Sequence, residues 1–98
     1  MEIKKEMNGT TLNVAVSGRV DTNTAPQLEA ELQSSFDSIE SLVLDFKDVA
    51  YISSAGLRVL LASQKIMVKK GGMTLINVSD DIMEIFEVTG FSDILTIE

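Results

Sequence analysis

The sequence predicts one α/β domain over residues 1–98, with a mixed, mostly parallel sheet that opens on an N-terminal hairpin and is covered by helices. Three observations carry this. Short apolar segments with a strand's period alternate with longer segments of helical period. The first two strand-like segments are separated only by Asn8-Gly9, a hairpin turn signal. Every later strand is preceded by a helix, which implies right-handed crossovers between parallel neighbours. The predicted order is β-β-α-β-α-β-α-β.

Ile3 begins the first strand. In the second, Leu12, Val14 and Val16 alternate with smaller or polar residues, the pattern of a half-buried strand. The chain then changes texture at Gly18. Thr24 and Gln27 match a capping box, and Pro26 suits a first helical turn because its missing N–H is no loss there. Leu28, Leu32 and Phe36 recur every four residues, so an amphipathic helix is expected from Ala25 to Phe36.

Ser41–Phe46 is short and mostly apolar and reads as a central strand buried on both faces. After the serine pair Ser53-Ser54 a long helix runs to Lys70. Its polar edge is Arg58, Ala62, Lys65 and Lys69. Leu57, Leu60, Leu61, Ile66, Met67 and Val68 occupy most of the rest, and Gly71-Gly72 ends it. Met73–Val78 reads as another buried strand. Ser79 caps a third helix, with Asp80 and Asp81 complementing its dipole. Ile82, Ile85, Phe86 and Thr89 share a face, and Gly90 stops the helix. Ile94–Ile97 is an edge-like last strand. The five methionines are expected to fill gaps in the core.

Composition removes several function classes. The chain has no cysteine and no histidine. Thiolate nucleophiles, thiolate and imidazole metal ligands, disulfides and Ser-His-Asp machinery are thereby excluded. Fifteen acidic against eight basic residues give a net charge of −7, the wrong sign for nucleic acid or an anionic membrane surface. A protein partner is the better electrostatic match. No apolar run approaches the roughly 18 residues that span a bilayer. The N-terminus lacks a signal core, so a cytoplasmic location without membrane insertion is expected. No motif calls for a cofactor.

Chemistry has few places to live. Ser53 and Ser54 lie where a strand turns into a helix. A serine there can simply cap the helix by accepting an N–H of the first turn. The same geometry offers unpaired N–H groups and the positive end of the helix dipole, which would favour a phosphate on either hydroxyl. Gly56 admits two readings as well. It can bare the backbone for a partner's close approach, or it can allow tight packing beneath a neighbouring loop. A serine hydrolase is disfavoured: the turn is Ser-Ser-Ala-Gly rather than Gly-x-Ser-x-Gly, and no base is at hand. The Gly18–Asp21 turn is either a plain loop or a polar loop beside the serines. The carboxylates Asp45, Asp48, Asp80, Asp81 and Glu84 show no metal-loop spacing.

These residues resemble a known family. Gly18-Arg-Val-Asp-Thr-Asn-Thr-Ala25 is similar to the Gly-x-hydrophobic-Asp-x-x-Thr-Ala segment of the STAS domain. Leu42–Leu57 resembles its signature, which ends in Asp-Ser-Ser/Ala-Gly-Leu, and Lys70–Asn77 resembles its Gly-Gly turn into a strand. Within the family the chain looks like the stand-alone bacterial anti-sigma factor antagonists, which are not enzymes. That resemblance implies phosphorylation of Ser54, the serine two residues before the glycine, by an anti-sigma factor that is also a serine kinase. Ser53 is the second candidate acceptor. The unphosphorylated antagonist would bind the anti-sigma factor and free a sigma factor for transcription. Phosphorylation would break the complex, and a phosphoserine phosphatase would restore it. The implied partner surface comprises Asp21, Thr22, Ser53, Ser54, Ala55, Gly56, Leu57 and Arg58. Relatives often carry Asp where Ser53 stands here. The same fold also serves as a non-phosphorylated adaptor in transport or stress-signalling assemblies.

Overall fold

The computed structural model describes residues 1–98. Strand β1 (Glu2–Asn8) pairs antiparallel with β2 (Thr11–Val20), and Asn8 faces Thr11 across a two-residue loop. Gly9 takes the positive φ of 65° that such a tight hairpin requires. Helix α1 (Ala25–Gln33) leads to β3 (Ser41–Ile52), α2 (Ser54–Met67) to β4 (Met73–Ile76), and α3 (Asp80–Thr89) to β5 (Thr96–Ile97). The strands lie in the sheet in chain order, and all pairings after the hairpin are parallel. The predicted element order is the observed one.

Strand order decides how the helices lie. Each crossover steps one strand further in the same direction, and right-handed crossovers of that kind place every helix on one face. The helices therefore cover one side of the sheet. Leu12, Val14, Val16, Leu42, Leu44, Phe46, Met73 and Leu75 form the buried face under the helices. Asn13, Val43, Asp45 and Ile76 alternate with them and are only half-buried. So β3 and β4 are not buried on both faces, despite their apolar composition.

At the helices three further expectations differ, each for a local reason. First, α1 stops at Gln33 rather than Phe36, because the Ser34 and Ser35 hydroxyls both donate to the Glu31 carbonyl and compete with the helical ladder. Phe36 still reaches the core from a short 3₁₀ turn. Second, α2 stops at Met67, where the Gly72 N–H donates to the Met67 carbonyl. Its sheet-facing stripe is Leu57, Leu60, Ser63 and Met67, which leaves Ile66 and Val68 exposed. Third, Thr24 does not form the expected capping box, since its hydroxyl turns away from the helix. Ser79 does cap α3, accepting the Ile82 N–H, and Gly90 closes that helix with a φ of 82°. Of the methionines only Met67 and Met73 are in the core, while Met7 is exposed.

Strand β3 runs six residues beyond Phe46, and this extension builds the site. Between Ala15 and Ser17 on β2, the partner strand advances from Asp45 to Asp48. Between Gly18 and Arg19 it advances from Val49 to Tyr51. Each irregularity gives β3 one more residue than β2. The result is that Val20 and Ile52 end side by side, both buried.

Candidate functional site

The site lies where β2 and β3 end. The Ser53 N–H donates to the Val20 carbonyl at 2.8 Å, which ties the start of α2 to the end of β2. Sequence could not show that the Gly18–Asp21 turn and the serine turn meet, and this bond is what joins them. The first bond of α2 runs from the Leu57 N–H to the Ser53 carbonyl, 2.9 Å. The N–H groups of Ser54, Ala55 and Gly56 therefore have no acceptor within the helix.

The two serines occupy different environments. Ser53 is the cap residue by position, with extended backbone (φ −95°, ψ 177°), yet its hydroxyl makes no capping bond. Its Oγ is buried and without a hydrogen-bond partner. Ser54 is the first helical residue and is exposed. The capping reading of the pair thus holds for the Ser53 backbone but not for either side chain.

The following residues divide between surface and core. Ala55 is half-buried and Arg58 is exposed. Gly56 and Leu57 are buried. A Cβ on Gly56 would lie 2.7 Å from Ile52 Cγ1, 2.8 Å from Val20 Cγ1 and 3.1 Å from the Val20 carbonyl oxygen. Glycine is therefore needed here so that α2 can sit down on the ends of β2 and β3. Of the two readings of Gly56, the geometry fits tight packing and not a backbone bared to a partner, because the residue is buried against the strand ends. Leu57 likewise packs in the core and contributes no side chain to the outer surface.

Asp21 organises its own loop. Its carboxylate accepts the N–H groups of Asn23 (3.0 Å) and Thr24 (3.2 Å), and its backbone N–H donates to Thr24 Oγ1 at 2.9 Å. The Thr24 hydroxyl in turn donates to the Arg19 carbonyl at 2.7 Å. Desolvation pushes the Asp21 carboxyl up. The bonds from Asn23 and Thr24, with the Arg19 guanidinium 3.7 Å from Oδ2, outweigh it and hold the group below the ordinary carboxylate value. Thr22 is exposed at the tip of this loop.

Two residues at this end were invisible to sequence reasoning. Arg19 and Tyr51 are register partners, and the Arg19 guanidinium lies over the Tyr51 ring with Cζ 4.4 Å from its centroid. The only available signal would have been the strand register, and the irregularities in β3 hid it. The carboxylates separate: Asp45 accepts the Lys47 N–H and the Asn77 amide, and no three acidic residues gather into a metal-binding group. Beside Ser54 a groove of about 200 Å³ opens between α1 and α2, with Thr22, Pro26 and Glu29 on one wall and Ala55, Arg58 and Val59 on the other.

With this geometry in hand, comparison with known proteins is informative. The anti-sigma-B factor antagonist of Bacillus subtilis (strain 168) is 33% identical over 98 residues, covering 99% of this chain and 88% of that protein. The crystal structure of an anti-sigma factor antagonist from Mycobacterium paratuberculosis superposes with a TM-score of 0.89 at 27% identity, covering 98% of this chain and 83% of that one. The Bacillus cell fate determinant SpoIIAA, solved in its phosphorylated form, shares the fold with a TM-score of 0.77 at 17% identity, covering 99% and 91%. The sequence profile of the STAS domain matches residues 2–98, and the chain belongs to the STAS domain family.

Proposed function

We propose that this chain is an anti-sigma factor antagonist that works as a phosphorylation-controlled partner switch in the cytoplasm. The observation that carries the reading is the contrast between the two serines. Ser54 presents an exposed hydroxyl at the first position of α2, above three N–H groups without helical acceptors, while the Ser53 hydroxyl is buried. A kinase can reach only the former without opening the fold. The names of relatives similar over nearly the whole chain support the antagonist part of this reading.

The chemistry is supplied by the partners. A serine kinase, itself the anti-sigma factor, transfers the γ-phosphoryl group of ATP to Ser54 Oγ. A new P–O bond forms, the bond to the β-phosphate oxygen breaks, ADP leaves, and the hydroxyl proton passes to a base of the kinase. A phosphatase reverses the state by adding water and releasing inorganic phosphate. This chain contributes position. The helix terminus welcomes the anion, so the product is locally stable. The added charge of about −1.5 to −2 falls on the surface that the anti-sigma factor would cover, on a chain already at −7. Binding is lost through repulsion and desolvation while the fold stands.

The test is incubation with the cognate kinase and ATP, followed by mass-spectrometric mapping. The expected product carries one phosphate on Ser54. Modification of neither serine sinks the switch.

A further inference from the structure

The groove beside Ser54 holds a cation that nothing in the chain neutralises. The Arg58 side chain is exposed and takes part in no ion pair and no hydrogen bond, like those of Lys4, Lys47, Lys65 and Lys69, but it alone among these lines the groove beside Ser54. Glu29, on the opposite wall, is the only other titratable side chain lining the groove, and it is not paired with Arg58. Arg58 follows Ser54 by four residues in α2, so the two side chains share one helical face about 5–6 Å apart at Cβ. An anion one turn ahead of a cation is the favourable order for such a pair.

We propose that Arg58 holds the Ser54 phosphate in cis, and that in doing so it is drawn over the mouth of the groove between α1 and α2. The inference rests on Ser54 as the phosphorylated residue. It adds a residue and a consequence. Guanidinium offers paired donors in a plane that matches two phosphate oxygens. In the unmodified chain that group is free, and the groove stands open with Ala55, Val59 and Pro26 on its walls. In the modified chain the guanidinium is committed to the phosphate. A modification at Ser54 therefore changes the surface on the α1 side as well as at the helix terminus.

The experiment installs phosphoserine at position 54 genetically, which frees it from any kinase. The second ionisation of the phosphate is then followed by ³¹P NMR in the otherwise native chain, in Arg58→Gln and in Arg58→Lys. With Arg58 present the phosphate is expected to titrate about half a pH unit lower than in Arg58→Gln, roughly a threefold shift in the proton equilibrium. Arg58→Lys should recover most of that shift. Phosphorylation should also move the amide resonances of Thr22 and Glu29 in the native chain, and less so in Arg58→Gln. Identical titration of native and Arg58→Gln phosphoproteins overturns the proposal, as does an unchanged α1 wall on phosphorylation. Neither outcome bears on which residue a kinase selects, because kinase mapping answers that separately.

Discussion

The N–H of Ser53 is bonded to the carbonyl of Val20, and that bond fastens the first residue before α2 to the last residue of β2. It brings the Asp21 loop beside Ser54 although 32 residues separate Val20 from Ser53 in the chain. It also puts α2 so close to the strand ends that only glycine fits at position 56.

Gly56→Ala is therefore expected to destabilise the fold even though it improves helix propensity. Its Cβ would press on two β-branched side chains that are fully buried and on a carbonyl oxygen. Such overpacking costs about 1–3 kcal/mol, against a propensity gain of about 1 kcal/mol. Urea unfolding should show a net loss of up to about 2 kcal/mol. A gain would mean that α2 lifts freely and that the close approach is not required.

Ser53→Ala should behave unlike an ordinary cap substitution. Losing a serine cap typically costs about 1 kcal/mol, but here the hydroxyl bonds to nothing and its oxygen is buried. The same urea assay should find the variant within about 0.5 kcal/mol of the native chain, or more stable, because a buried polar group without a partner is removed. A loss above 1 kcal/mol would show that Ser53 Oγ caps α2 in solution.

Much of this could be read from the sequence because it depends on local pattern. The alternation at Leu12, Val14 and Val16 and the four-residue spacing of Leu28 and Leu32 report burial directly. The end of β3 could not be read this way. Lys47-Asp48 and Ala50-Tyr51 break the period of two where β3 gains residues relative to β2, so a continuing strand looks like a loop. The apolar content of Ser41–Phe46 suggested two buried faces, yet composition does not say which way successive crossovers step. At the site, Ser54 could be found from its place before α2. The inward aim of Gly56 and the stacking of Arg19 on Tyr51 depend on strand register, which no single segment contains.

Asp21→Asn should weaken the fold at neutral pH and lose that effect in acid. The native carboxyl is held below its ordinary value, so the folded chain keeps this charge at pH values where the unfolded chain has begun to bind a proton. The resulting stabilisation is complete above the unfolded value of about 4 and fades as pH falls through the lower native value. Unfolding curves at pH 7, 5 and 3 should therefore show a gap between native and variant chains that is constant at first and then narrows. A gap that widens on acidification would assign the carboxylate the opposite role. Loss of the loop bonds to Asn23 and Thr24 should appear as faster amide exchange at those two residues.

Ser54→Asp separates stability from binding, because the two should move in opposite directions. A carboxylate at the first position of α2 meets free N–H groups and the positive helix end, which should raise stability by about 0.3–1 kcal/mol. The same charge sits on the surface proposed for the anti-sigma factor. It carries about half to two-thirds of a phosphate's charge, so binding should weaken about 10-fold to 100-fold rather than vanish. Ser54→Ala supplies the control. The Ser54 side chain is exposed and makes no hydrogen bond within the chain, so its removal should leave both stability and affinity nearly unchanged. Calorimetric titration of the anti-sigma factor with the three proteins reads the affinities, and urea unfolding reads the stabilities. Equal affinity of Ser54→Asp and the native chain would show that added charge is not the lever. A large loss in Ser54→Ala would instead show that the hydroxyl itself is a binding contact, and that phosphorylation acts by removing a donor rather than by adding an anion.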